Sequence, residues 1–216
     1  MVANCDAFDL AVELSKNHEI KNNIGVHFNL TESIPLSEHI KQYPLFVRDG
    51  KFHGEINRLK LLSHKEKQAV YEELSAQIAK IEAAGIRVTH ADSHHHIHTG
   101  IFIAPIVLRV CKEHGIRKIR MHRNIGAIST QKKMVKKCFN AWLHMRGFRT
   151  TQFFGSLEDI GLGIPNGVTE IMVHPDYDKN GDLIDRVDMD GIYPIGERLN
   201  NLPKLQKENR FSYNEL

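Results

Sequence analysis

The sequence predicts an α/β protein built of βα units around a parallel sheet, on three observations. Short apolar runs of period two alternate with stretches of helical apolar spacing. The alternation recurs along the chain at the interval of βα units. The side chains able to do chemistry fall on or just beyond the strand runs, where a barrel or open sheet of this class gathers them at the strands' C-terminal ends. At 216 residues, the chain is long enough for one sizeable core and is read as a single domain, 1–216.

In order, Ala7, Phe8, Ala11, Val12 and Leu14 sit at helical spacing between Asp6 and Lys16, with Asp6 placed to cap. Ile24, Val26, Phe28 and Leu30 alternate with Gly25, His27 and Asn29, so a strand presents His27 and Asn29 on the face opposite its apolar set. Thr31 to Arg58, with Pro35, Pro44, Gly50 and Gly54 and no sustained period, reads as an excursion or lid over the strand ends. Ser63 and Glu66 form a capping box for an amphipathic helix through Val70, Leu74, Ile78 and Ile81, closed by Gly85. A strand from Ile86 follows, then a helix from Pro105 to Gly115, a strand from Ile116 to Met121 and a helix over about 130–145. Gln152 to Phe154 and Thr169 to Val173 are expected to be extended, the Asp/Gly-rich segment beyond Asp176 to be loop, Ile195 to Leu205 to hold a helix, and Arg210 to Tyr213 a last strand.

Composition narrows the function classes. A net charge of +3, with the lysines gathered only at Lys132, Lys133, Lys136 and Lys137, gives no basis for a nucleic-acid partner, and that run reads as a solvated helix face. Three cysteines without CxxC spacing argue against a disulfide framework and for a cytoplasmic location. No apolar run reaches membrane-spanning length, so no membrane role is expected. A homodimer is left open.

The densest chemistry lies in Thr89-His90-Ala91-Asp92-Ser93-His94-His95-His96-Ile97-His98, which carries five of the 14 histidines. Imidazole is the commonest side-chain ligand for divalent transition metals, and a carboxylate two positions away can ligate or orient it through the second ring nitrogen. An internal tract broken by Asp, Ser and Ile, at the end of a strand, is a poor solvated loop and a good metal site.

Gly25-Val26-His27-Phe28-Asn29-Leu30-Thr31, the His-rich stretch, and Glu170-Ile171-Met172-Val173-His174-Pro175 together resemble, in order, three motifs of the YdjC-like carbohydrate deacetylases. The likeness extends to Asp49-Gly50-Lys51-Phe52-His53-Gly54 and Ile119-Arg120. It implies a (β/α) barrel-like fold related to the polysaccharide deacetylases, and a divalent metal, magnesium or zinc, held by an Asp and two histidines. The reaction implied is removal of an N-acetyl group from an acetylated sugar or oligosaccharide of chitooligosaccharide type. The family's metal-binding histidines match His27 and His94; Asp92 would stand behind the metal or near the substrate, and His174 matches the late His-Pro motif. A carboxylate can take the proton of a metal-bound water, a role that in the family falls to an opening aspartate pair that also gives the third metal ligand; Asp92 stands beside His174 and Arg120 as a catalytic candidate, His174 as the acid for the leaving amine and Arg120 to steady an oxyanion or orient a carboxylate. Asn29 is expected against the substrate, and His95, His96 and His98 in substrate or supporting roles, His96 and His98 against the substrate first, since one ion cannot use every imidazole within reach.

The family pattern opens with a strand ending in paired aspartates, and Asn4-Cys5-Asp6-Ala7-Phe8-Asp9-Leu10 fits a later family segment better. The expectation is therefore a chain lacking its first βα unit, with an open sheet edge and impaired activity. Two rivals stand beside it: a catalytically silent carbohydrate-binding remnant, and another metal-dependent barrel hydrolase or sugar isomerase.

Overall fold

A computed structural model of the protein describes residues 1–16, 19–56, 59–159, 165–187, 191–195 and 212–216. The described chain divides into two compact units, Met1–Arg120 and Met121–Leu216.

In the first unit the helix α1 spans Phe8–Lys16 and the strand β1 spans Val26–Phe28. The excursion that follows is packed rather than loose. It holds a 3-10 turn at Ile40–Gln42 and a hairpin of β2 (Val47–Arg48) and β3 (Lys51–Phe52), with Asp49 and Gly50 both left-handed at φ 49° and 77° in the two-residue turn. Ile40, Phe46 and Phe52 are buried, and the backbone N–H groups of Leu36 and Ser37 donate to the carboxylate of Glu73, at 3.1 and 2.7 Å. Glu73 lies on α2, His64–Ala83, whose start has the expected capping box: Glu66 N–H donates to Ser63 Oγ (3.2 Å) and Ser63 N–H to Glu66 Oε2 (2.7 Å).

The strand β4, Ala91–Ser93, runs parallel to β1 with His27 opposite Asp92, and is bridged on its other side, also in parallel, at Ile119. His27 N–H donates to the Met1 carbonyl at 2.8 Å, so the far side of β1 is paired there. Between β4 and that bridge lie a 3-10 segment, His94–Thr99, and α3, Ala104–Glu113. Val26 and Phe28 are fully buried, and α2 packs against both β1 and α3. Each large apolar side chain buried this way contributes about 1.5–3 kcal/mol. The apolar face of β1 is thereby committed to the core, which leaves His27 on the other face.

The second unit holds α4 (Thr130–Met145), the parallel pair β5 (Phe153–Ser156) and β6 (Thr169–Met172), and an antiparallel sheet of β7 (Pro175–Tyr177), β8 (Leu183–Val187) and β9 (Gly191–Pro194). That sheet corrects the expectation of loop beyond Asp176. Its turn is Asp178–Asp182, where the Asp178 carboxylate accepts from the N–H groups of Asn180 and Asp182 (2.8 and 2.9 Å). A turn of that composition hides the short strands on either side. Lys132, Lys133 and Lys137 lie exposed on α4, as a solvated face requires. The helix expected over Ile195–Leu205 lies outside the described residues beyond Ile195. The last expected strand is instead a 3-10 turn at Tyr213–Glu215, with 210 and 211 outside the described residues. Among the described residues no helix is long and apolar enough to cross a membrane, and all three cysteines are free.

Candidate metal centre

Strand pairing brings the first two groups together. Neighbouring parallel strands lie about 4.8 Å apart, and because His27 and Asp92 are register partners, their side chains meet: His27 Nδ1 stands 2.7 Å from Asp92 Oδ1. The other carboxylate oxygen of Asp92 is paired with the Arg120 guanidinium. Burial works against ionisation of Asp92, but the hydrogen bond from His27 and the charge of Arg120 outweigh it and hold the carboxyl well below its ordinary range. An ionised Asp92 must accept from Nδ1–H, which fixes the tautomer of His27 and leaves Nε2 as the lone-pair nitrogen.

His94 follows β4 directly. Its ring centroid is 5.7 Å from that of His27, edge to face, although 67 positions of sequence separate them. His94 Nε2 is buried and has no hydrogen-bond partner. The nearest carboxylate atom, Glu32 Oε1, is 3.3 Å away but outside hydrogen-bond geometry. A buried imidazole nitrogen without a partner is costly, and coordination of a cation would remove that cost. His95 and His96 are left-handed, at φ 49° and 54°, a conformation that costs a non-glycine residue about 1–2 kcal/mol. The turn sets the His95 ring 4.0 Å from that of His94. Glu32, His94 and His95 offer ligand atoms that all lie within 4.8 Å of one another. The donor set, imidazole plus carboxylate, suits zinc, and its oxygen component also suits magnesium.

The other expected site residues are placed as follows. Asn29 is buried: its Oδ1 accepts from the N–H groups of Thr31 (3.0 Å) and Glu32 (3.1 Å), so it shapes the turn that presents Glu32. His98 is 1% exposed. Its ring nitrogens meet Ser93 Oγ at 2.5 Å and the Arg120 carbonyl at 3.1 Å, leaving no exposed edge for the substrate contact expected of it. Burial pushes its pKa down to about 3, so the ring is neutral and Nε2–H donates to Arg120. His96 is half-buried, its ring 6.3 Å from that of His98. In the second unit His174 is 53% exposed; its N–H donates to Asp185 Oδ1 at 2.6 Å and its Nδ1 lies 3.7 Å from the same oxygen.

Two groups escaped the sequence. Glu32 sits in a stretch without periodicity, and nothing local marks it. Gln77 carried a signal, a polar residue in the apolar stripe of α2. Its amide accepts from Asn29 N–H (3.0 Å) and donates to Asn29 C=O (2.7 Å), pinning the chain where β1 ends.

In this mixed α/β chain, histidines converge beside a buried Asp-Arg pair on parallel strands, a set of side chains able to hold a cation. The family is shown directly: the YdjC-like protein family model matches residues 1–208, and the chain belongs to that family. Carbohydrate deacetylase 1 of Listeria innocua serovar 6a is 34% identical over 183 residues, 82% of this chain and 69% of the relative. A carbohydrate deacetylase of Vibrio parahaemolyticus is 38% identical over 118 residues, 54% of this chain and 44% of its own. A crystal structure from Enterococcus faecalis V583, described as a cellobiose-phosphate cleavage protein, shares the fold at a TM-score of 0.64, covering 83% of this chain and 70% of the other at 22% identity.

Proposed function

We propose that the protein is a metal-dependent deacetylase that hydrolyses the N-acetyl group of an acetylated sugar or oligosaccharide of chitooligosaccharide type. The observation that carries this assignment most is the meeting of His27 and His94 beside the Asp92-Arg120 pair in a chain whose relatives are named carbohydrate deacetylases. His27 Nε2 and His94 Nε2 would hold the ion. When bound, a divalent cation polarises the acetyl carbonyl and lowers the pKa of a bound water.

The chain's own residues supply the rest. Asp92 keeps His27 in one tautomer and one orientation, and Arg120 keeps Asp92 ionised. In hydrolysis the water oxygen bonds to the acyl carbon, the C–N bond breaks, and the water's protons pass to the departing sugar nitrogen as acetate and the amine leave. The amine must take up a proton, the role we assign to the imidazole of His174 on its His-Pro motif and its titratable side chain. A (β/α) barrel-like architecture belongs to the same proposal, supported by the parallel succession of β1, β4 and the bridge at Ile119.

The test is acetate release from N-acetylated chito-oligosaccharides. Activity stopped by a chelator and restored by zinc or magnesium is expected; no acetate with any divalent metal would overturn the assignment. A sugar isomerase would convert substrate without releasing acetate.

A further inference from the structure

Glu32 stands in the candidate centre for reasons that the matching of motifs does not touch. Asn29 builds its position: the Asn29 side chain accepts from Glu32 N–H (3.1 Å) and donates to Glu32 C=O (2.9 Å), while a second donation, to Asn4 Oδ1 (3.1 Å), anchors Asn29 itself. The carboxylate is 61% exposed, and the ion pair it makes among the described residues is the one with His94. That contact has a particular length. Two donors each about 2.1 Å from one tetrahedral ion are about 3.4 Å apart, and Glu32 Oε1 lies 3.3 Å from His94 Nε2 without hydrogen-bond geometry. The pair is spaced as two ligands of one ion are spaced.

Asp92 is the obvious rival for a carboxylate ligand, and it is committed elsewhere. One oxygen holds His27 and the other faces Arg120, so turning it outward would break a buried charge pair. His95 adds to the case for Glu32. The Thr31 hydroxyl donates to Asn29 Oδ1 at 3.2 Å, so its oxygen accepts from His95 Nδ1–H, also at 3.2 Å; the same turn thus orients a ring that offers a ligand atom to the cluster.

We propose that Glu32 is a direct carboxylate ligand of the divalent cation that His94 binds, so that residues 1–120 supply a mixed imidazole-carboxylate site of their own. The proposal rests on the metal-dependent reading above and adds a ligand to it.

Cobalt(II) titration of the full chain, followed by its visible absorption, tests both claims separately. The unaltered protein is expected to bind one cobalt ion with a ligand-field spectrum. Glu32→Gln, which keeps size and removes charge, is expected to bind at least about 100-fold more weakly, since loss of a mere supporting contact already costs 10–100-fold, and to shift the spectrum. Glu32→Asp should recover part of the affinity. Unchanged affinity and spectrum in Glu32→Gln, with binding lost in His94→Ala, would overturn the role of Glu32 and leave the metal-dependent reading standing. No cobalt binding by the unaltered chain would overturn both. An unaltered melting temperature for Glu32→Gln, expected of an exposed side chain, assigns any loss of affinity to ligation.

Discussion

The two units hold a histidine beside an aspartate in opposite ways. In the first, His27 and Asp92 meet at 2.7 Å across adjacent parallel strands, and the carboxylate is backed by Arg120. In the second, Asp185 is fully buried and His174 is largely exposed, 3.7 Å from it at the ring and tied to it through the backbone N–H. The first arrangement fixes a ring, its tautomer and its free nitrogen, as a metal ligand requires. The second anchors the main chain and leaves the ring half in solvent at a looser distance from the carboxylate, which suits a group that exchanges protons. A histidine-aspartate pair is therefore not one device, and the difference lies in which atom of the histidine the carboxylate holds.

Asp92→Asn breaks the first arrangement and carries the largest expected effect. It removes the counter-charge that Arg120 faces in a buried setting, at a cost of about 3 kcal/mol in stability, and weakens metal binding by about 10–100-fold through loss of control over His27. Denaturant unfolding and metal titration measure the two losses; loss of neither would show that the pair does not position His27. His174→Ala should do the reverse, leaving metal affinity and unfolding unchanged while lowering acetate release by about 100-fold or more. Equal activity in that variant would remove His174 from the chemistry.

Gly25→Ala probes the packing beneath β1. A Cβ there would lie 2.5 Å from the ring of His90, and a clash of that kind in a filled interior costs about 1–3 kcal/mol. A melting temperature equal to that of the unaltered protein would mean His90 can move aside.

The smallest and most graded effect is that of pH. Burial pushes the pKa of His98 down to about 3 and of His90 to about 4, so both stay neutral in the fold while the unfolded chain takes up protons near 6.5. Stability should therefore be highest above pH 6.5 and decline as pH falls toward 4. Asp92, with its pKa depressed, adds its own loss only below about 3.8, where the unfolded carboxyl protonates. Thermal unfolding under chelator across pH 4–7 checks this, and a flat midpoint would show that the buried rings are not held neutral.

How much of this the sequence carried follows from the range of the interactions. Helix α2 was readable to the residue because its cap and apolar stripe are local, and β1 because its alternation is. The convergence of His27 and His94 came from motif resemblance, since strand register is not written in either segment alone. The pairing of Arg120 with Asp92 was one of two roles open to that arginine, and only the placement of the chain beside β4 selects it. His98 is expected against the substrate from its place in the His-rich run; left-handed His95 and His96 precede it and its ring is buried, and no composition rule reports such a turn. The strands after Asp176 give no period-two pattern to read: Leu183-Ile184-Asp185-Arg186-Val187 sets apolar beside apolar and charged beside charged, and Ile184 and Asp185 are both buried.

The central claim is that two imidazoles distant in sequence share one cation. Calorimetric titration of zinc into the unaltered chain, His27→Ala and His94→Ala tests it most directly. One ion per chain is predicted, with binding weakened about 100-fold or more in each variant. Full stoichiometry at unchanged affinity in both variants would contradict it.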